Sequence, residues 1–419
     1  MGVKEGYKQT EVGIIPGVWK VERFSDICEL INGRGFKPYE WRLEGLPIIR
    51  IQNLNGSDDF NYYQGPFDQK ILVQNHQLLF AWSGSRGTSF GPHIWKGGDA
   101  LLNYHTWKLR IKSSELDHSF FLHKLREITK QIEEEAHGAS ALVHTQKGEV
   151  EAFILSLPPL PEQKAIAAAL SDTDELIGGL EALVAKKRDI KQGAMQQLLT
   201  GRKRLPGFTG EWEEKRLGDL GDCIRGVTYK PELDLLSYET ENSIKLLRSN
   251  NVQQSSVVFE DCQILRKEKI SDKQIMQDGD ILICMSNGSK ELVGKCGVFR
   301  NQSNSLYAFG AFMGVFRTFN LDSNYVFYIL NTFRFRRYIN DILAGSSINN
   351  IRPGDIQDVT FDAPSFEEQQ AIAALLSDMD AEIESLQTQL GKTRALKQGM
   401  MQELLTGRIR LVESVKGAE

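Results

Sequence analysis

The stretch "KQGAMQQLLTGR" at residues 191–202 returns as "KQGMMQELLTGR" at residues 397–408, a constant 206 positions later. The similarity extends outward from it, because residues 162–205 align with residues 368–411 without a gap, and 26 of the 44 pairs are identical. Similarity at one fixed offset is typical of a chain built from repeated structural units. The repeat therefore determines how the rest of the chain is divided.

Each copy of the repeat has the pattern of a long helix. Its apolar residues recur at alternating steps of three and four, which is the spacing of a coiled-coil seam. Each predicted helix ends at Thr-Gly-Arg, where Gly201 and Gly407 are expected to form left-handed caps. About 38 helical residues at roughly 1.5 Å each give a rod about 57 Å long. The predicted helix-pairing residues are Ile177, Leu180, Val184 and Leu198 in the first copy and Ile383, Leu386, Leu390 and Leu404 in the second.

The segments outside the helices mix short strand-like runs, such as "LPIIRIQNL" at residues 46–54, with one or two helical patches. This mixture predicts an α+β domain in each segment. Their openings are similar, with Trp19 aligned to Trp212, but their sequences diverge strongly afterwards. The two domains are thus expected to share a fold and to differ in surface.

The fold class that follows is α+β, with two globular domains separated by two long antiparallel helices and related by an internal pseudo-two-fold repeat. The apolar seam of the second helix must be buried, and pairing with the first helix buries both. Antiparallel pairing would return the C-terminus to the N-terminal domain. The predicted order is a domain at 1–160, a spacer helix at 161–205, a domain at 206–364, a spacer helix at 365–411 and a tail at 412–419.

Composition places the chain among soluble globular proteins, at 41% hydrophobic and 25% charged residues. No apolar run reaches the roughly 18 residues of a membrane span, and the N-terminus lacks the apolar core of a secretion signal. Five scattered cysteines argue against a disulfide framework or a zinc site and suit a reducing cytoplasm. A net charge of −5 neither favours nor excludes nucleic acid, because 50 Lys and Arg can be segregated onto one face.

No catalytic pattern emerges from the sequence. "GSKELVGKC" at residues 288–296 resembles a phosphate-binding loop, but it has five residues between the glycines instead of four and Cys296 in place of Ser or Thr. The seven histidines show no metal-ligand spacing, and no amino-methyltransferase signature is found. We expect a protein without its own active site or metal.

The chain resembles the specificity (S) subunit, HsdS, of bacterial and archaeal Type I restriction–modification systems. The resemblance rests on the tandem layout, the repeated helix end, the lead-in "LPPLPEQKAIAAALSDTDELI" (Leu157–Ile177) and the opening "YKQTEVGIIPGVWKV" (Tyr7–Val21). It implies a non-catalytic, cytoplasmic adaptor whose two target-recognition domains each bind half of a bipartite, asymmetric site in double-stranded DNA. The helices would set the separation of the half-sites and dock two methyltransferase (M) subunits, through which restriction (R) subunits join. The S-adenosylmethionine, ATP and magnesium of such systems belong to those partners, so no cofactor of its own is implied.

Within the two recognition domains, the useful groups are Arg and Lys for guanine or phosphate, and Asn and Gln for adenine. Three polar stretches with such residues occur in the same order in both domains, at residues 50–56, 82–87 and 137–150 in the first and at residues 247–253, 286–290 and 344–356 in the second. Ser, Asn and Gly are also what ordinary turns require. "FRFRRY" at residues 333–338 further predicts an amphipathic helix with arginines facing phosphate. The candidate DNA-binding residues are Arg50, Gln52, Asn53, Ser83, Ser85, Arg86, His144, Gln146 and Lys147 in the first domain and Arg248, Asn250, Asn251, Ser286, Asn287, Ser289, Lys290, Asn349, Asn350 and Arg352 in the second.

Three alternatives stay open at this point. A fused methyltransferase or nuclease would need a cofactor loop and acidic metal ligands. A coiled-coil scaffold whose domains bind protein would show no salt-dependent affinity for DNA. The specificity subunit of another restriction–modification type would share the same modules.

Overall fold

The computed structural model describes residues 3–136, 141–253, 255–301, 305–319, 321–345 and 348–411. These residues form two compact units. The first contains the described residues up to Glu181 and those from Gln389 onward, and the second contains Ala182–Thr388. Each unit therefore combines one globular domain with a part of each long helix. The predicted return of the C-terminal helix to the first domain is confirmed.

The first globular domain is mixed α+β, as predicted. Its helices are α1 (Phe24–Ile27), α2 (Ile51–Leu54), α3 (His118–Glu135) and α4 (Lys147–Glu151), followed by the long helix α5 (Leu160–Leu198). Its strands are β1 (Tyr7–Thr10), β2 (Gly13–Pro16), β3 (Lys20–Arg23), β4 (Cys28–Asn32), β5 (Leu46–Ile49), β6 (Asn61–Tyr63), β7 (Leu72–Val73), β8 (Leu78–Ala81), β9 (Ser83–Ser85), β10 (Gly91–Ile94), β11 (Ala100–Leu102), β12 (Thr106–Ile111), β13 (Leu142–His144) and β14 (Ile154–Leu157).

These strands form small sheets around an aromatic core. Two four-stranded sheets have the orders β10-β8-β12-β4 and β6-β5-β11-β7, and three further pairs are β1-β2, β9-β13 and β3-β14. Helix α3 is capped by the preceding residue, Asp117, whose carboxylate accepts hydrogen bonds from the N–H groups of Ser119 and Phe120. The buried face of α3 packs with Trp19 and Phe24 in one cluster.

The second domain repeats this plan with different lengths. Its helices are α6 (Pro231–Asp234), α7 (Ser323–Leu330), α8 (Phe333–Ala344) and α9 (Pro353–Gln357), followed by the long helix α10 (Phe366–Leu404). Its strands are β15 (Glu213–Arg216), β16 (Gly221–Arg225), β17 (Leu235–Leu236), β18 (Ser243–Leu247), β19 (Val252–Gln253), β20 (Ser256–Val257), β21 (Gln263–Arg266), β22 (Ile281–Cys284), β23 (Cys296–Val298), β24 (Tyr307–Phe309), β25 (Met313–Thr318) and β26 (Thr360–Ala363). They form a six-stranded sheet, β16-β25-β22-β23-β20-β19, a four-stranded sheet, β17-β21-β18-β24, and the pair β15-β26.

The two long helices follow the repeat closely. Helices α5 and α10 are each 39 residues long, and both their first and last residues differ by the same 206 positions. The caps are left-handed as predicted, with φ of +67° at Gly201 and +72° at Gly407. Among the predicted pairing residues, Ile177 and Leu386 are half-buried and the other six are buried. Leu198 and Leu404 lie in the cores of the globular domains rather than in a seam formed by the helices alone.

Ion pairs within each unit show that the helical segments run antiparallel. In the first unit, Lys397 binds Asp174, and Arg394 lies 2.5 Å from Glu181. In the second unit, the repeat-related pair is Lys191 with Asp380. The second unit also has the pair of Lys187 with Glu382. In both units, a step back along one helix moves the partner forward along the other, so the two segments run in opposite directions.

A second repeated ion pair explains why both copies keep the same glutamate and arginine. Glu162 accepts two hydrogen bonds from Arg410, at 2.5 and 2.7 Å, inside the first unit. In the second unit, Glu368 accepts two from Arg204, at 2.6 and 2.5 Å. Each pair joins the first turn of one long helix to the segment just after the other, so each copy of the repeat supplies half of both pairs.

Candidate functional site

The first polar stretch has the same backbone design in both domains. Asn53 accepts a hydrogen bond from the Arg50 N–H at 3.0 Å, and Asn251 accepts one from the Arg248 N–H at 2.9 Å. Both asparagine side chains are buried, and each also donates to two carbonyl groups of the following turn. Both amides therefore hold the turn, and the contact of Asn53 and Asn251 with DNA stays a prediction.

The second and third stretches of the first domain lie side by side. Strand β9 pairs with β13, so that Ser83 is opposite His144 and Ser85 is opposite Leu142. Ser83 is buried, whereas His144 is exposed. The third stretch begins with residues 137–140, which lie outside the described residues. Two of the three predicted clusters thus form one surface.

The same juxtaposition occurs in the second domain. Ser286 and Asn350 form an isolated antiparallel bridge, and the Asn349 amide donates to the Gly288 carbonyl at 3.0 Å. Residues 346 and 347 of this stretch lie outside the described part. Asn287 donates to Ser249 Oγ at 3.3 Å, so the first stretch also joins this surface.

Arg225, which the sequence did not single out, holds this surface together. Its guanidinium donates to the carbonyls of Ala311 and Ile351 at 2.7 and 2.9 Å and to Asn350 Oδ1 at 2.9 Å. Burial lowers the pKa of Arg225. Because all three guanidinium nitrogens donate to protein acceptors, Arg225 fixes the position of Asn350.

An aromatic loop between β11 and β12 is a second feature that the sequence reading missed. A pocket of about 360 Å³ is lined by Arg50 and Gln52, by residues 103–105 of this loop and by the first residue of β12. The Arg50 guanidinium lies 5.6 Å from the ring of Trp41, within the range of a cation–π contact. In the sequence, the sign of this loop is the run of aromatic and polar side chains in "NYHT" at residues 103–106.

The same loop joins the pocket to the paired strands β9 and β13. The indole N–H of Trp82 donates to the Tyr104 carbonyl at 2.9 Å, and the rings of Trp82 and His105 are 5.1 Å apart. Burial lowers the pKa of His105, and repulsion from His144 lowers it further. Both effects favour the neutral imidazole, which can donate and accept a hydrogen bond.

In the second domain, the corresponding loop is residues 310–312, between β24 and β25. The N–H groups of Met285 and Ser286 donate to the Phe312 carbonyl at 2.8 and 3.0 Å. Phe312, which occupies the place of His105 in the first domain, is 68% exposed. The loop therefore lies at the equivalent position in both domains but carries different side chains.

One short helix completes each surface, α4 in the first domain and α9 in the second. The Gln146 N–H is accepted by Glu149 at 2.8 Å, and the Arg352 N–H is accepted by Asp355 at 2.6 Å, so Gln146 and Arg352 occupy equivalent positions. Lys147 instead donates to the Leu30 carbonyl at 2.7 Å. The ammonium group of Lys147 thus binds its own domain, and its contact with DNA stays a prediction.

We call these surfaces face 1 and face 2. Several candidates have exposed side chains on or beside these faces. Others are half-buried, namely Ser85, Arg50, Arg248, Ser286, Asn287, Asn349 and Asn350. Face 1 consists of Arg50, Gln52, Tyr104, His105, His144 and Gln146, and face 2 consists of Arg248, Asn250, Asn287, Phe312, Asn349, Asn350 and Arg352. The exposed candidates are Gln52, Arg86, His144, Gln146, Asn250, Ser289, Lys290 and Arg352.

The segment resembling a phosphate-binding loop and the basic helix α8 were also singled out by the sequence. The segment at residues 288–296 leads through a short turn into strand β23 rather than into a helix, so it lacks the helix N-terminus of a phosphate-binding loop. Helix α8 buries Phe335 and binds the Val293 carbonyl through Arg336, which leaves Arg334 and Arg337 exposed. Within the described ranges, there is no group of three or more His, Cys, Asp or Glu residues suited to holding a metal, and no helix is long and apolar enough to cross a membrane.

Comparison with known proteins gives a consistent result. A family model for the Type I restriction modification DNA specificity domain matches residues 16–186 and again residues 209–392. The MjaVIII specificity subunit of Methanocaldococcus jannaschii is 25% identical over 97% of both chains. The StySPI specificity subunit of Salmonella potsdam is 30% identical over 47% of this chain and 42% of its own length.

The fold is shared with a solved structure of the same kind. The S subunit of a Type I restriction–modification system from M. genitalium superposes with a TM-score of 0.59 over 96% of this chain and 98% of its own, at 14% identity. The double match of the family model covers most of the chain, and it coincides with the two repeats found in the sequence. This chain belongs to the specificity subunits of Type I restriction–modification systems.

Proposed function

We propose that the chain reads a bipartite, asymmetric site in double-stranded DNA, with face 1 binding one half-site and face 2 the other. The observation that carries the proposal is that the two faces share a backbone design but differ in side chains. Equivalent positions hold His144 and Asn350, and Gln146 and Arg352. Since base edges are read by such hydrogen-bonding groups, two different half-sites are expected.

The long helices are proposed to set the distance between the half-sites and to dock two methyltransferase subunits, through which restriction subunits join. Support comes from apolar side chains that helix α5 leaves exposed, at Leu176, Leu183 and Ile190. Their spacing of seven residues is that of a coiled-coil stripe, which a partner helix can cover. The subunit itself would be non-catalytic and cytoplasmic, and S-adenosylmethionine, ATP and magnesium would be bound by its partners.

The direct test is the methylome of cells that carry this chain with its methyltransferase subunit. We expect one methylated motif with two unlike specific parts separated by unread bases. Cells with a deletion of the chain serve as the control and should lose that motif. A continuous motif, or two identical half-sites, would contradict the assignment of one half-site to each face.

A matched insertion tests the spacing role of the helices. Four residues added after Val184 and four after its repeat-related Leu390 lengthen each helix by about 6 Å. B-DNA rises about 34–36 Å per turn of 10–10.5 base pairs, so the unread spacer should grow by about two base pairs. The half-site bases should stay the same in the methylome of the insertion variant.

The control for this variant is the same four residues inserted once, after Gly207, in the loop that follows the first long helix. That insertion should leave the spacer unchanged. If the double insertion changed the bases read instead of their separation, the helices would not act as spacers.

A further inference from the structure

Face 2 carries one large apolar side chain among groups that form hydrogen bonds. Phe312 is largely exposed in the loop between β24 and β25. The Ser286 N–H donates to its carbonyl, and Ser286 in turn forms the bridge with Asn350. The other members of face 2 are arginines and asparagines. An exposed phenyl ring gains free energy only when another apolar group covers it, so this position is suited to an apolar contact.

The backbone of this loop is held at each of its three carbonyl groups. The Gly310 carbonyl accepts a hydrogen bond from the Met313 N–H at 2.8 Å, and the Ala311 carbonyl accepts one from Arg225 Nε at 2.7 Å. The Phe312 carbonyl accepts the two bonds described above. The phenyl ring therefore extends from a fixed backbone, and little conformational freedom is lost when it contacts a ligand.

The equivalent position in face 1 has a side chain that forms hydrogen bonds. The His105 carbonyl accepts a bond from the Trp82 N–H at 3.2 Å, as the Phe312 carbonyl does from the Met285 N–H. Strand pairing gives the same equivalence, because the residue before each donor lies opposite the first residue of the strand that follows the loop. The two faces thus differ at this position in the kind of base group that they can contact.

We propose that Phe312 contacts the 5-methyl group of a thymine in the half-site bound by face 2. The inference rests on the proposed function, in which this face reads base edges. In the major groove those edges consist of hydrogen-bond donors and acceptors, and the 5-methyl group of thymine is the apolar exception. Phenylalanine is among the side chains suited to this contact. Phe312 is then a specificity-determining residue that selects a T·A pair by its methyl group instead of by a hydrogen bond.

The test removes that methyl group from the DNA. Each thymine of the methylated motif is replaced in turn by deoxyuridine, which keeps the base pair and its hydrogen bonds. Affinity for the complex of this chain with its methyltransferase subunits is measured by fluorescence anisotropy. In wild type, one replacement should weaken binding about fourfold, the effect expected for the burial of one methyl group. Phe312→Asn should bind both duplexes equally, whereas Phe312→Leu, which keeps an apolar side chain, should retain the difference.

The matched control is Phe319→Asn, beyond the far end of the same strand. Phe319 is also a largely exposed phenylalanine. The six residues of β25 separate it from the loop by about 20 Å. This variant should keep the fourfold difference between the thymine and uracil duplexes.

The outcomes separate this inference from the proposed function. If wild type prefers the motif to a scrambled duplex but no thymine replacement changes its affinity, Phe312 reads no methyl group, while the proposed function stands. Persistence of the fourfold difference in Phe312→Asn would overturn the inference in the same way. If the complex does not distinguish the motif from the scrambled duplex, the proposed function fails, and this inference fails with it.

Discussion

Arg410→Ala should destabilise the first unit by roughly 3–5 kcal/mol, the range found when one partner of a buried ion pair is removed. Glu162 is only 1% exposed, and Arg410 supplies two of its hydrogen bonds. The remaining bond comes from the indole N–H of Trp19 at 3.0 Å, which cannot neutralise a carboxylate. The free energy of unfolding, measured by urea denaturation at neutral pH, should fall by that amount.

The control is Arg408→Ala, two residues earlier in the same segment. The Arg408 side chain is 69% exposed, and its ion pair with Glu403 lies on the surface. Exposed pairs contribute about 0–1 kcal/mol, so this variant should unfold almost like wild type. Arg204→Ala should reproduce the large effect in the second unit, because Arg204 makes the repeat-related pair with Glu368. Equal stability of Arg410→Ala and Arg408→Ala would show that the buried pair does not hold the helices to the domains.

The parts of the fold that were predicted correctly depend on local sequence. Helices α5 and α10 follow from an apolar periodicity, and the caps at Gly201 and Gly407 follow from a residue that adopts positive φ without strain. The repeat also predicted the antiparallel return of the C-terminal helix. Such features need no knowledge of distant contacts.

The parts that were missed depend on contacts far apart in the chain. The repeat preserves Glu162 and Arg410, yet their pairing joins opposite copies and becomes evident only once the helices are known to be antiparallel. The juxtaposition of Ser83 with His144 depends in the same way on the pairing of two separate strands. Spacing along the sequence gives no measure of either distance.

The candidate residues show a different limit, which is that one side chain can serve two purposes. Asn53 and Asn251 have the amide expected of an adenine reader, but the same amide is well suited to closing a turn. Lys147 has the charge expected of a phosphate contact, but its ammonium group donates to the Leu30 carbonyl. Residue type restricts the possible roles, and only the surrounding acceptors distinguish between them.

Arg50→Ala should relax base recognition in one half-site and leave the other intact. Arg50 borders the pocket of face 1, beside the loop that presents Tyr104 and His105. An arginine that reads a base typically contributes about 1–3 kcal/mol of discrimination. We therefore expect the methylome of the variant to accept a second base at one position of one half-site, with affinity for the original site reduced by about that amount.

Arg248→Ala is the matched variant, since Arg248 holds the equivalent place in face 2. Arg248→Ala should relax base recognition in the opposite half-site. The double variant should relax recognition in both, because the effects of two substitutions that share no contacts add in free energy. Lys290→Ala is the control for a charge effect alone. Lys290 is exposed at the edge of the second domain, and loss of a phosphate contact there would weaken all sequences alike and lower the salt dependence of binding. If Arg50→Ala behaved like Lys290→Ala, with uniform weakening and an unchanged motif, Arg50 would bind the backbone, and the bases would be read by other residues of face 1.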